Sequence, residues 1–312
     1  MEPVIKVQGL AKGFKELKAV DGVTFEVYPG EILCVLGPNG AGKSTTINLL
    51  TTAMRPDAGL ISFKGAPLGR DTAAYRQALG IVPQDLALYE ELSAERNIAF
   101  FASLYGLKGK ELKAVVDWAL EFAGLTDRRR DRVKTFSGGM KRRLNIACAI
   151  AHRPEVIVLD EPTVGIDPQS RNHILSSIRS LADEGTTILY TTHYMEEVEE
   201  ISTRIIVMDH GKIIAEGTKE ALKEKLADDR LYLIQVDGAE NANCDALYRV
   251  EGVREVALNG NLLKVSIVKG IENLDRIIAQ LVSRGVRIQN VASETASLEM
   301  VLLNLTGRTL RD

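Results

Sequence analysis

The sequence predicts an α/β fold with a mainly parallel core sheet, followed by a smaller α+β segment. Three observations predict it. Ile32–Leu36 and Val156–Leu159 are continuous apolar runs of the kind found in strands buried on both faces. The loop Gly37-Pro38-Asn39-Gly40-Ala41-Gly42-Lys43-Ser44-Thr45 separates the first of these runs from a helical stretch, Ser44–Met54. Beyond Asp228-Asp229 the pattern becomes β-α-β-β-α-β, the order of a ferredoxin-like sandwich.

Taken in order, Val4–Val7 and Val20–Val27 read as strands rich in β-branched residues, with Phe14 in the loop between them. Pro29-Gly30 turns the chain into Ile32–Leu36, and Pro56-Asp57-Ala58-Gly59 turns it into a strand at Leu60–Lys64. Together the early strands suggest an antiparallel β subdomain. Leu79–Val82 is a further strand, ending at Pro83-Gln84. Asn97–Leu104 and Glu111–Ala123 carry apolar residues at three- and four-residue spacing, which predicts an inserted helical lobe over about residues 90–135 with Trp118 in its core. Phe136-Ser137-Gly138-Gly139-Met140 opens a helix through Lys141–Ala151, with Ser137 a favourable N-cap. Val156–Leu159 leads to Asp160-Glu161-Pro162, the turn Thr163–Asp167 and a helix from Pro168 to Glu184. Thr186–Tyr190 is a strand ending at Thr191-Thr192-His193, before the helix Met195–Ile201. Ile205–Met208 and Lys212–Ala215 form a hairpin, and the helix Glu220–Ala227 closes a first domain of residues 1–227. In 228–312 the strands are Leu231–Val236, Val253–Leu258, Leu262–Val268 and Val286–Val291, with Asn259-Gly260 as a hairpin turn. The helices there are Asn243–Val250, Ile271–Arg284 and a last one at Ser297–Leu305. No polar cluster in this segment suggests catalysis, so it reads as a dimerisation or regulatory appendage.

The glycine-rich loop is G-x-x-x-x-G-K-S between a strand and a helix. In that context successive N–H groups point into one concavity and the helix start adds its own unpaired donors, so the loop cradles phosphate. Lys43 is placed for the β- and γ-phosphates, and the Ser44 hydroxyl for Mg2+.

Composition sets limits. With 45% hydrophobic and 26% charged residues, the 312-residue chain is that of a globular protein large enough for two domains. A net charge of −3 argues against a general nucleic-acid binder, and the basic run Arg128–Arg132 reads as a solvated loop or a set of local ion pairs. Cys34, Cys148 and Cys244 are scattered without metal-ligand spacing, which fits reduced thiols in a cytosol. No signal peptide is evident, and the longest apolar stretch, Ile98–Leu107, is about half of the roughly 20 residues that a spanning helix needs.

Four features following the phosphate loop narrow the reading: Gln84 after a strand, Phe136–Met140 opening a helix, Asp160-Glu161 ending an apolar strand and His193 ending the next. In this order they resemble the ATP-binding subunit of an ABC transporter over residues 1 to about 220. The resemblance implies a P-loop cassette that binds ATP and Mg2+. Asn39, Gly40, Ala41, Gly42, Lys43, Ser44 and Thr45 would hold the phosphates, with Phe14 stacked on adenine. Ser44, Gln84 and Asp160 would hold Mg2+. Glu161 would act as general base or water-positioning group, Gln84 would touch the attacking water, and His193 the γ-phosphate. Ser137, Gly138 and Gly139 would complete the nucleotide site of an opposite subunit, and Asp167 would be a polar contact between the two. One position departs from the pattern: Met140 stands where the family commonly has Gln, removing an amide.

The resemblance further implies two cassettes meeting head to tail around two ATP, and a separate permease that holds the protein at the cytoplasmic face of the membrane. The stretch Leu86–Asn97 would receive the permease. Tyr190–Val198 and the tail, Ser297–Met300 with Leu305–Arg308, look like those of exporter-type subunits for drugs, antibiotics, polysaccharides or sodium ions. The alternative is a soluble ABC ATPase acting on a ribosome or nucleic-acid complex. Such proteins usually carry two cassettes, or a long coiled coil between Gly42 and Ser137; this chain has one cassette and no heptad run there. No nucleic-acid partner is expected.

Overall fold

A computed structural model of the chain describes residues 1–226, 229–238, 242, 244–268 and 270–294. The expected helix at Ser297–Leu305 and the tail motifs lie outside these residues. Two compact units divide after Thr218. The division falls before α8 (Lys219–Leu226), whereas the sequence suggested a boundary after residue 227.

The first unit holds two sheets. An antiparallel sheet has the order β2-β1-β4-β5, from β1 (Ile5–Phe14), β2 (Leu17–Val27), β4 (Ala58–Phe63) and β5 (Ala66–Pro67). Phe14 therefore ends a strand instead of lying in a loop. Lys15 takes the left-handed conformation (φ 54°), which lets Lys15-Glu16 close the hairpin late. Bulges between Val7 and Gly13 break the alternation along β1 and hide the strand's second half from a pattern search.

The six-stranded sheet runs β10-β9-β3-β8-β7-β6. Its members are β3 (Ile32–Leu36), β6 (Leu79–Val82), β7 (Val156–Asp160), β8 (Thr187–Thr192), β9 (Arg204–Asp209) and β10 (Lys212–Gly217). All pairings are parallel except that of the edge strand β10 with β9. Every residue of β3, β7 and β8 is buried, which accounts for the unbroken apolar runs Ile32–Leu36 and Val156–Leu159. Burying a Leu or Val side chain contributes roughly 1.5–3 kcal/mol. Leu33, Val35, Val156, Val158 and Leu189 share one core with Val7 and Leu10 of β1 and Leu49 and Leu50 of α1 (Lys43–Leu50). That helix stops four residues earlier than its apolar pattern suggested. Thr51 caps it, and Thr52 turns left-handed (φ 59°). A single turn of helix, α2 (Ala73–Gln77), was not expected.

The helical lobe consists of α3 (Ala94–Leu104), capped by Ser93, and α4 (Gly109–Phe122), both packed on α5 (Gly138–Ile150). Ile98, Leu120, Leu125 and Leu144 form its core, with Trp118 packed against it. Three arginines of the basic run have local partners: Arg129 pairs with Glu95 and Asp117, Arg128 with Asp131, and Arg132 with Glu91. Helices α6 (Pro168–Asp183) and α7 (Met195–Ile201) complete the unit.

In the second unit, β11 (Asp229–Asp237), β12 (Val253–Asn259), β13 (Leu262–Val268) and β14 (Arg287–Glu294) form an antiparallel sheet of order β12-β13-β11-β14. Tyr232, Ile234, Leu263, Val265 and Ile267 pack with Leu247 of the short α9 (Cys244–Leu247) and with Ile277 and Leu281 of α10 (Leu274–Val282).

Candidate functional site

Register assembles the site. In the parallel sheet Leu36 pairs with Thr192 and Val207, Asp160 with Thr191, and Val82 with Leu159. Four carboxyl ends therefore stop level, and the residues just beyond them (Gly37, Gln84, Glu161 and His193) emerge at one edge, where open α/β sheets bind ligands.

The phosphate loop is held close to its surroundings. A Cβ on Gly37 would overlap the Met208 carbonyl, and one on Gly42 would overlap that of Ala19. Gly42 is also the N-cap of α1, in a left-handed conformation (φ 102°) that glycine adopts without penalty. No side chain caps this helix, so the first-turn amides of Lys43, Ser44 and Thr45 are left for a ligand. Asn39 and Gly40 are exposed at the loop's crest, and Ala41 is buried.

Lys43 is buried and donates from Nζ to the carbonyls of Gly37 (2.8 Å) and Pro38 (3.2 Å). Its Nζ lies 3.4 Å from Glu161 Oε1. Burial pulls the ammonium's pKa below the usual lysine range, and Glu161 works against that shift. The Ser44 hydroxyl donates to Asp160 Oδ1 at 3.3 Å. Gln84 Nε2 donates to Glu161 Oε2 at 3.4 Å, and His193 Nδ1 lies 3.3 Å from Glu161 Oε1. The structure thus brings Lys43, Ser44, Gln84, Asp160, Glu161 and His193 into one cluster centred on Glu161.

Glu161 is itself held in a rare backbone conformation (φ 46°). Thr191 fixes it there, as the Glu161 N–H donates to both the Thr191 carbonyl (3.1 Å) and hydroxyl (3.0 Å). That hydroxyl in turn donates to Asp160 Oδ1 at 2.6 Å. Sequence reasoning missed this bridge because it ended the strand at Tyr190, whereas β8 runs on to Thr192.

The other expected residues lie apart from this cluster. Phe14 is 45% exposed at the hairpin tip, with Lys12 Nζ 6.0 Å from its ring centre. Ser137 caps α5 by accepting from the Met140 N–H (3.3 Å), and Ser137 and Gly138 are exposed. Gly139 is buried for a different reason: a Cβ there would overlap Ser170 of α6. Met140 turns its apolar side chain onto the lobe core. Asp167 caps α6 by accepting from the Ser170 N–H (2.9 Å), and the amide and hydroxyl of Ser170 hold its carboxyl below the usual range. Sequence reasoning also missed Arg142, whose guanidinium donates to the carbonyls of Pro83 (3.1 Å) and Gln84 (2.8 Å) and so ties the Gln84 segment to α5.

The chain is 41% identical over 311 residues to the linearmycin resistance ATP-binding protein LnrL of Bacillus subtilis (strain 168), covering 99% of this chain and 100% of that protein. It belongs to the ABC transporter family. The family model described as "ABC transporter" matches residues 20–164. The daunorubicin resistance ATP-binding protein DrrA3 of Streptomyces coeruleorubidus is 38% identical over 98% of this chain and 96% of its own length. The Nod factor export ATP-binding protein I of Paraburkholderia xenovorans (strain LB400) is 37% identical over 100% of this chain and 99% of its own length. A solved ATP-binding subunit of an ABC transporter superposes with a TM-score of 0.65 at 30% identity, over 78% of this chain and 98% of that one. A dimeric cassette in a post-hydrolysis state with ADP and Pi superposes with a TM-score of 0.63 at 25% identity, over 69% of this chain and 98% of that one. As an ABC ATP-binding subunit the chain is an ATPase, with export-type proteins among its relatives.

The donor set fits Mg2+. Ser44 and Asp160 present hard oxygens to one point, and among the described residues no group of three His, Cys, Asp or Glu forms a metal cage. Mg2+ is commonly held this way, by one or two side chains with phosphate oxygens and water completing the shell. Ser44 and Asp160 would hold it, and it would supply positive charge beside a bound triphosphate. The Gln84 amide nitrogen is directed at Glu161, so its oxygen is the atom available to a metal or to water.

Proposed function

We propose that the chain is the ATP-hydrolysing subunit of an exporter. Two copies, or this chain and a second cassette, enclose two ATP head to tail and drive export through a separate membrane subunit. One observation carries the reading: the chain holds two half-sites. The cluster around Glu161 offers a phosphate loop, a pair of oxygen ligands for one metal ion and a base. The exposed Ser137–Gly138 helix start belongs to a different element and offers amides and a hydroxyl without a base. The dimeric cassette with ADP and Pi among the similar structures supports the pairing, and the resistance and export relatives support the direction. Among the described residues no helix is long and apolar enough to cross a membrane, so the spanning part is assigned to a partner.

In this reading Lys43 and the α1 amides orient the triphosphate. Glu161 accepts a proton from the attacking water as the γ-phosphoryl group transfers, while Gln84 and His193 fix the water and that group. The base and the phosphate-binding cation share one buried cluster, so charge developing on the phosphate is met by groups already in place.

Complementation tests the pairing. Lys43→Met and Ser137→Glu chains are each expected to be inactive alone. Mixed, they should regain ATPase activity, because a mixed dimer contains one intact composite site. A mixture as inactive as its components rejects head-to-tail pairing. Copurification of a membrane protein that stimulates turnover tests the transport reading.

A further inference from the structure

The contact between His193 and Glu161 does not hold itself. His193 Nδ1 is 3.3 Å from Glu161 Oε1, yet this buried nitrogen makes no aligned hydrogen bond. Glu161 also keeps an unfavourable backbone conformation, which persists only where surrounding structure enforces it. Thr191 fastens the amide side of Glu161, but the turn beyond Pro162 needs its own anchor.

That anchor is Glu197 on α7, whose side chain is 0% exposed. Its Oε1 accepts from the Thr163 hydroxyl at 2.5 Å. Its Oε2 accepts from the hydroxyls of Tyr190 (2.8 Å) and Thr192 (2.7 Å). Arg171 of α6 is the neighbouring cation, with Nε 3.6 Å from Oε1. Thr163 lies two residues after Glu161, and Thr192 directly precedes His193. One carboxyl group therefore fastens the turn that carries Glu161 to the strand end that carries His193. Thr192 extends the link by accepting from the Tyr194 N–H at 3.0 Å. In sequence Glu197 is hidden among Glu196, Glu199 and Glu200, a run that reads as a solvated helix face.

We propose that Glu197 is a positioning residue for ATP hydrolysis: it clasps the Glu161 turn to the His193 loop and sets the rate of phosphoryl transfer without touching nucleotide. The inference rests on the roles given above to Glu161 and His193. A glutamine in its place keeps the shape but removes the charge and puts an N–H2 where one side now accepts, so Thr163 or the Tyr190–Thr192 pair must turn its hydroxyls round to accept and the charge-assisted bonds are lost. Small displacements of reacting groups are enough to cost about a hundredfold in rate.

The test compares full-length Glu197→Gln, Thr163→Val, Thr163→Ser and Glu161→Gln with the wild-type chain, by steady-state ATPase kinetics, Mg-ATP affinity and thermal melting. Glu197→Gln and Thr163→Val should lower kcat about ten- to a hundredfold. KM and ATP affinity should stay within about twofold. Thr163→Ser, which keeps the hydroxyl, should restore most of the rate, and the Glu197→Gln/Thr163→Val double variant should be no slower than the slower single one. Wild-type turnover by Glu197→Gln overturns the clasp, as does a loss matched by lost ATP affinity, or losses that multiply in the double variant. Should Glu197→Gln fail to fold, the contrast between Thr163→Val and Thr163→Ser decides. A fast Glu161→Gln rejects the base assignment and the clasp with it; a slow Glu161→Gln beside a fast Glu197→Gln rejects the clasp alone.

Discussion

Glu161 is the residue on which the site converges, and its neighbours make its substitution informative. Glu161→Gln preserves shape, and Lys43 and the α1 amides remain to bind the triphosphate. The variant should bind Mg-ATP with little change while turnover falls about 10²–10⁴-fold, the contribution of a positioned base; an isothermal titration beside a phosphate-release assay checks both. Thr191→Val is expected to act on stability as well as rate. It removes one partner of two from each group: the Glu161 N–H keeps the Thr191 carbonyl, and Asp160 Oδ1 keeps the Ser44 hydroxyl. A lost buried hydrogen bond costs about 0.5–1.5 kcal/mol, and one to a carboxylate about 1.5–3 kcal/mol, so its melting temperature should drop clearly. The phosphate loop, Asp160 and Glu161 were legible because their chemistry demands particular residue types at strand ends. Thr191, Glu197 and Arg142 were not, since hydroxyls, acids and guanidinia are equally at home on a surface; strand register turns Thr191 inward, and the packing of α7 and α5 buries Glu197 and Arg142.

At the scale of elements, the two capped helix starts carry separable expectations. Ser137→Ala removes the α5 cap, which should cost about 1 kcal/mol of stability in a melt. Asp167 supports α6 through an ionised carboxyl whose pKa lies below its ordinary 3.8. A depressed carboxyl pKa gives stability that is present above the ordinary value and lost as pH falls through the folded one. The melting gap between the wild-type chain and Asp167→Ala should therefore be full at neutral pH and close on acidification below 3.8. The helix start at Ser137 could be read from its capping residue, whereas the capping role of Asp167 was not read. The end of α1 could not be read: it stops at Leu50, where Thr52 goes left-handed, and no residue there announces it. Bulges hid half of β1 in the same way, and with it the true position of Phe14.

For the whole molecule, the paired reading predicts a mass change. Glu161→Gln should run as a monomer without nucleotide and shift to a dimer with Mg-ATP in size-exclusion chromatography with light scattering, because bridging nucleotide is no longer consumed. Burial also predicts thiol chemistry. Cys34 and Cys148 are buried, and burial pushes the Cys148 thiol up, whereas Cys244 is partly accessible. A thiol reagent should label about one cysteine in the native chain and all three after denaturation.

The tie between Arg142 and the carbonyls of Pro83 and Gln84 has a mechanical consequence. Asn145, one turn further along α5, accepts from the Ala87 N–H at 3.2 Å, so the stretch from Pro83 to Ala87 is bolted at two points to a rigid rod. The tip of that rod is Ser137. A displacement of the stretch would therefore load α5, the same helix whose first turn Ser137 caps.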